Sequence, residues 1–357
     1  MLTVKKTKGN LFSTLAVGAL LLGLGATTAE ALELRYSDLG PPRGPRADTL
    51  KWWAGELDKR TGGEITVKFF WSQSLVKGKE TMKAVGSGLS DTGTILGIYT
   101  PSELPIWNLA NAPFGVQDPW VGMRTWQEMR ETVPELRAET KKRNIRIFLN
   151  YTTGAVDLVS KDPIRSVEDI AGKKVRTSGG WTNLIKALGA TPVKIGFGEL
   201  YQALDRGTVD ATINYVPAAK AYKHYEVAGN MTEIQMGQVL GYGAGINLKT
   251  YNKFSAGNKK IFDELGIEFM DQYAKNYLEG AMSAKAAMMA GIDGKKVTFH
   301  TVTDVDKWKA AGASYTTDWI AKMNKKGLDA EAFVMKFEAT KAKYEAELKA
   351  KGYPWTR

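Results

Sequence analysis

The chain has 357 residues, 43% of them apolar, with two histidines and no cysteine. That size and polarity suffice for two domains with proper cores, so disorder is not expected, and the lack of cysteine excludes disulfides, thiolate chemistry and a lipid-attachment site. The formal charge of +11 is scattered among acids rather than clustered. It suits anionic ligands and argues against nucleic acid, since no recognition motif or basic stripe accompanies it.

At the start, Lys5, Lys6 and Lys8 precede an apolar stretch from Leu11 to Ala26, and Ala29-Glu30-Ala31 supplies a small-x-small cleavage pattern. Residues 1–31 read as a signal peptide, cleaved after Ala31, of a soluble periplasmic protein. A membrane anchor is the rival reading, but the run is short and rich in glycine and alanine, and nothing later reaches the ~18 apolar residues that a span needs.

LELRYSD then opens as a strand, and ADTLKWWAGELDKR carries Leu50, Trp53, Ala54 and Leu57 at helical spacing before the turn Thr61-Gly62-Gly63. In ITVKFFW the residues Ile65, Val67, Phe69 and Trp71 alternate as one buried face. Further strands are predicted at TGTILGIY, IRIFLNY, VDLVS, KKVRT and ATINY, with helices between them. The last ninety residues read as nearly all helical. Ile320, Met323, Phe333, Met335, Phe337 and Tyr344 supply their apolar faces among many lysines and glutamates.

Two segments echo each other. Ala84, Val85, Gly88 and Asp91 have the spacing of Ala203, Leu204, Gly207 and Asp210. In each the glycine is expected to end a helix and the aspartate to open a strand, with ATINY beside KKVRT and TGTILGIY in a partner sheet. The glycine cluster Gly241 to Gly245 lacks dinucleotide spacing and reads as tight packing or a hinge.

From Gly172 to Pro217 the pattern is strand, helix, polar turn, helix, strand. Arg176 stands where the first strand ends, and Gly179 and Gly180 turn the backbone into a helix at Trp181 to Leu188. A guanidinium beside a helix N-terminus is suited to fork onto a carboxylate; the bland alternative is a solvated surface arginine. Catalytic motifs are missing: there is no HExxH, GxSxG or phosphate loop. Carboxylate pairs such as Glu199 with Asp210 or Asp38 with Glu103 can be drawn, but in a chain with 38 acids each reads first as a cap or surface charge.

The order GKKVRTSGG, GATPV, Phe197 with GELYQAL, and RGTVDATINY resembles the solute-binding subunits of tripartite ATP-independent periplasmic (TRAP) transporters, the DctP family. The likeness extends through RTGGEITVKFFWSQSL and VSKDPIRSVEDIAGKKVR to the helical C-terminus. It implies a two-lobed α/β periplasmic-binding-protein fold with hinge-linked domains and a helical C-terminus, and no catalysis. Lobe I would comprise 32–153 plus 241–285, and lobe II 154–240 plus 286–357. The family's carboxylate-binding arginine falls on Arg176, its asparagine on Asn214 and its aromatic on Phe197. The resemblance further implies a small and a large membrane permease subunit, or a fused one, as partners, and no cofactor; no metal site is expected.

The chain departs from the family where a second arginine is common. Gly154-Ala155-Val156 stands there, so a second acidic group on the ligand is not expected. Ser178 replaces a frequent proline. Trp181 has two readings, pocket lining or core anchor, and Asp38, Arg43, Tyr99 and Tyr215 sit in or beside predicted strand-end loops where cleft residues arise. Aromatic lining would suit a monocarboxylate with a ring or an apolar tail. The alternatives are an ABC-type binding protein, a periplasmic enzyme using Glu199, Asp210 or Tyr201 on a carboxylate, and a ligand-sensing module.

Overall fold

A computed structural model describes residues 31–357, so the leader expected at residues 1–31 lies, but for Ala31, outside the described residues. Strands β1 (Leu32–Ser37), β2 (Ile65–Phe70), β3 (Thr92–Leu96), β10 (Tyr242–Asn247) and β4 (Ile145–Tyr151) form one sheet in the order β2-β1-β3-β10-β4. The other sheet runs β11-β9-β5-β8-β6-β7, from β5 (Asp157–Ser160), β6 (Lys174–Arg176), β7 (Thr191–Val193), β8 (Ala211–Asn214), β9 (Asn230–Glu233) and β11 (Thr298–Thr301). In the first, β10 is antiparallel to both neighbours; in the second, β5 is. Helices cover the sheets, giving the mixed α/β architecture of a two-sheet protein.

The echo in the sequence is an echo in structure. Gly88 (φ 82°) and Gly207 (φ 70°) end their helices in the left-handed conformation that glycine alone adopts without strain. Asp91 and Asp210 then each grip the neighbouring parallel strand twice. Asp91 N–H donates to Arg35 O at 3.1 Å while its carboxylate accepts from Arg35 N–H at 3.1 Å. Asp210 repeats this on Lys174, at 2.8 Å for both bonds. The pair of bonds sets the register of β3 on β1 and of β8 on β6.

Two antiparallel crossings join the sheets and are bonded to each other. Val156 N–H donates to Gly237 O (2.8 Å), Met236 N–H to Val156 O (2.9 Å) and Thr153 N–H to Val239 O (3.3 Å). A third connection is the 35-residue helix Ala256–Ala290, capped at its start by the Ser255 hydroxyl and ended at Gly291. It packs on Pro45–Arg60 and β4 and also on Val216–Ala221, the helix that follows β8. Gly266 makes the contact with β4 close, since a Cβ there would lie 2.3 Å from Phe148 O.

Several elements differ from their sequence reading. Residues 242–245 of the GYGAG segment belong to β10, at the interior of its sheet: a Cβ on Gly245 would lie 2.5 Å from Ile95, so the glycines serve the tight packing expected of them, but within a strand that was not expected. In β2 only Ile65 is fully buried, because β2 is an edge strand. Met335 is 67% exposed, since the buried stripe of Ala330–Lys351 runs through Phe333, Phe337, Thr340 and Tyr344. That helix packs on Pro119–Thr132 beside the five-stranded sheet, so the chain's end returns to the side where it began. The helical C-terminal region is interrupted by β11, which pairs parallel to β9.

Candidate functional site

Arg176 closes β6 and is 4% exposed. Its Nε donates to Ile195 O at 3.0 Å, and the guanidinium lies 5.2 Å from the Phe197 ring centroid. Among the described residues no carboxylate pairs with it, so this buried cation lacks a counter-charge. The turn after it requires its glycines: Gly179 has φ 59°, and a Cβ on Gly180 would lie 1.7 Å from the Tyr315 ring.

Asn214, at the end of β8, is 1% exposed. Its Oδ1 accepts from Tyr215 N–H at 2.8 Å, and its Nδ2 donates to His224 Nδ1 at 2.9 Å. His224 is fully buried, and burial, reinforced by the nearby Arg176 charge, pushes its imidazole down to about 3. The ring is therefore neutral, and with Nδ1 as acceptor its proton resides on Nε2, which meets no protein acceptor among the described residues. Sequence reasoning did not select His224. Its signal was its position, ten residues beyond Asn214 in a chain with only two histidines.

Aromatic rings enclose these polar groups. Phe197 stacks on Tyr215 (centroids 6.1 Å apart) and meets His224 edge-on at 5.5 Å. Tyr99, from the loop after β3, accepts a hydrogen bond from Phe197 N–H at 3.3 Å and so links the two sheets' loops across the cleft. Tyr215 is pushed up to about 12 and Tyr242 well above its usual value, both by burial, which keeps them neutral phenols.

Six of the seven residues singled out from the sequence, Arg176, Asn214, Phe197, Trp181, Tyr215 and Tyr99, line one cavity of about 30 Å³ with Ile98, Val156, Thr177, Ser178, Ile213, Val239 and Tyr242 among others. Trp181 both lines this cavity and packs in the core, with 1% exposure. Its Nε1 and the Thr177 Oγ1 are buried without partners. With Arg176 they give the lining residues unmet donors, an arrangement that calls for acceptors from whatever binds.

Asp38 does not join them. Its Oδ2 pairs with Arg46 Nη1 at 2.5 Å and accepts from the Thr94 hydroxyl at 2.7 Å, while Oδ1 accepts from Gly40 N–H at 2.6 Å. With its proton given to Asp38, Thr94 Oγ1 accepts from the Tyr36 and Tyr151 hydroxyls. Asp38 is thus the counter-ion of Arg46, a largely buried cation that the sequence reading missed. Arg43 instead donates to Ala221 O at 2.6 Å from an exposed position. It lies at a larger groove of about 700 Å³ whose charges are exposed or half-buried and solvated, which is why the smaller cavity is the candidate site.

The carboxylate pairs drawn from the sequence are not assembled. Asp210 holds Lys174 N–H, Glu103 pairs with Arg143 at 3.0 Å, and Tyr201 donates to Glu226. No group of three or more His, Asp or Glu side chains suited to a metal occurs among the described residues.

Residues 36–323 match the family of bacterial extracellular solute-binding proteins, family 7, known as DctP. The chain belongs to this family. It is the solute-binding subunit of a TRAP transporter. A solute-binding protein of Chromohalobacter salexigens is 28% identical over 282 residues, 77% of this chain and 82% of that one. A TRAP solute-binding protein of Rhodoferax ferrireducens, solved with copurified benzoate, superposes with TM-score 0.79 at 20% identity, covering 88% of this chain and 99% of that one. One from Roseobacter denitrificans with bound β-D-glucuronate gives 0.74 at 23% identity, covering 86% and 99%. The fold of this solute-binding protein is therefore that of the two-lobed TRAP subunits.

Proposed function

We propose that this solute-binding protein captures a single organic monocarboxylate with a ring or short apolar tail and presents it to a TRAP-type membrane permease, in two subunits or fused. The observation that carries this reading is Arg176, buried without a counter-ion among unmet donors and beneath an aromatic ring. A carboxylate supplies the missing charge and acceptors, and Phe197, Tyr215 and Trp181 cover an apolar body. A dianionic ligand fits less well, because Arg46, the arginine that shares a pocket lining with Tyr215, is already neutralised by Asp38. That relatives were solved with benzoate and with a uronate supports the carboxylate class.

Capture requires movement. A cavity of about 30 Å³ takes a carboxylate group but not the body of an organic acid, so the lobes must part to admit ligand. We assign the lobes to 32–153 with 241–285 and 154–240 with 286–357, the helix Ala330–Lys351 excepted, which packs on Pro119–Thr132. Closure onto ligand then creates the surface that the permease reads, and the protein binds without turnover. Export through a leader cleaved after Ala31 places the protein in the periplasm, where the family's members act.

The test is a thermal-shift screen of residues 32–357 against mono- and dicarboxylates, aromatic, keto and sugar acids, and amino acids. A monocarboxylate is expected to raise the melting temperature, and Arg176→Ala to abolish that shift with the fold intact. A full shift in the Arg176→Ala variant, or shifts only with neutral or cationic solutes, would overturn the assignment.

A further inference from the structure

A second buried arginine without a counter-ion lines a cavity separate from the cleft. A cavity of about 550 Å³ opens between Pro119–Thr132, Pro134–Lys141, the edge strand β4 and the long helix, and shares no lining residue with the cleft. Arg130 lines it, is 8% exposed, and has an Nη1 with no acceptor among the described residues. Arg146 lines it too, with Nη2 on Asp263 at 2.8 Å, a guanidinium 4.8 Å from the Tyr251 ring centroid, and a buried Nε that is also unmet.

The acids nearby are committed elsewhere. Asp263 accepts from Arg146 on one oxygen and from Tyr251 on the other, and Glu131, exposed at the rim, accepts from Gln127. Gln127 Oε1, in turn, is the single side-chain acceptor that Arg130 reaches, through Nη2. Trp107, Leu136, Phe148 and Ile267 form the apolar part of a wall that also carries Arg137, Thr140, Lys141 and Asn252.

We propose that this cavity is a second anion site, which takes a small carboxylate with an apolar body on Arg130. A buried cation without a counter-charge is costly, and an anion seated on Nη1 offsets that cost while its body covers the apolar part of the wall. The electrostatics agree in direction, since burial pushes the Arg130 guanidinium down to about 9. The inference does not rest on the cleft, because the two cavities have separate cations.

The probe is phenylacetate, titrated calorimetrically into residues 32–357 carrying Arg176→Ala, which silences the cleft. One equivalent is expected to bind. Adding Arg130→Met should weaken that binding at least tenfold, and should raise the melting temperature without ligand, because an uncompensated charge is removed. Adding Ile267→Trp instead, at a position 40% exposed on the cavity wall, should obstruct the cavity with Arg130 intact and weaken binding similarly. This second variant keeps the test decisive if Arg130→Met does not fold. Absence of phenylacetate binding in the Arg176→Ala protein, or binding unchanged by both additions, would overturn the proposal.

Discussion

Nδ2 of Asn214 lies 2.9 Å from Nδ1 of His224, and this contact decides which way the Asn214 amide faces. Because Oδ1 is spent on Tyr215 N–H, the second Nδ2 hydrogen is the one left for the cavity. In His224→Phe the ring remains to pack against Phe197 and Tyr222, but the amide loses its orienting acceptor. Ligand affinity is expected to fall by about tenfold, the worth of one hydrogen bond in a buried site, with little change in fold as read by circular dichroism.

His224 also carries a pH signature. Its folded pKa of about 3 lies below the unfolded value of about 6.5, so between them the unfolded state binds a proton that the folded state refuses. Stability contributed by the neutral ring is present above pH ~6.5 and declines by about 1.4 kcal/mol per unit as pH falls toward 3. Asp157, pushed up to about 7 by burial, works with the opposite sign between ~4 and 7. The measurement is therefore the difference between wild type and His224→Phe in denaturant melts from pH 7 to 4. The variant should lose less stability on acidification; parallel curves would refute the assignment.

Asp38→Asn separates structural from ligand roles. It leaves Arg46 buried without its partner and is expected to cost about 3–5 kcal/mol of stability, read as a lower urea midpoint. Ligand affinity of the folded fraction should change little. A large affinity loss at unchanged stability would return Asp38 to the binding site.

Gly266→Ala probes the seat of the long helix. The added methyl would meet Phe148 O at 2.3 Å, and backbone yields less readily than a side chain. A loss of about 1–3 kcal/mol is expected despite alanine's better helix propensity, whereas stabilisation would mean that the helix can lift from β4 without cost.

The strands richest in alternating or β-branched residues, such as IRIFLNY and ATIN, were legible because their pattern alone specifies them. Others were not. YGAGIN carries too little side chain to look like a strand, and its identity comes from the neighbours that fill the space above its glycines. TPV and TFHT are short edge strands whose pairing is tertiary. At the cleft, Arg176, Asn214 and Phe197 were reached through the family motif and Tyr99, Tyr215 and Trp181 through aromatic type near loops. Asp38 lies outside the cavity because its partner is Arg46, eight residues on, in the first turn of a helix whose sequence reading began only at Ala47. Nothing in a local pattern says that a carboxylate is already spoken for.

The bonded pair of crossings between the sheets has a mechanical meaning. Two separate tethers would let one half twist and slide on the other, but a ladder of backbone hydrogen bonds resists shear while it flexes easily across its flat face. Tyr273 fastens this strip to the long helix at Thr152 O, and Gly154 lets Tyr277 lie directly against it. The opening that admits a solute should accordingly follow a single arc, like a book on its spine, so that every molecule returns Arg176 and Tyr99 to the same facing positions.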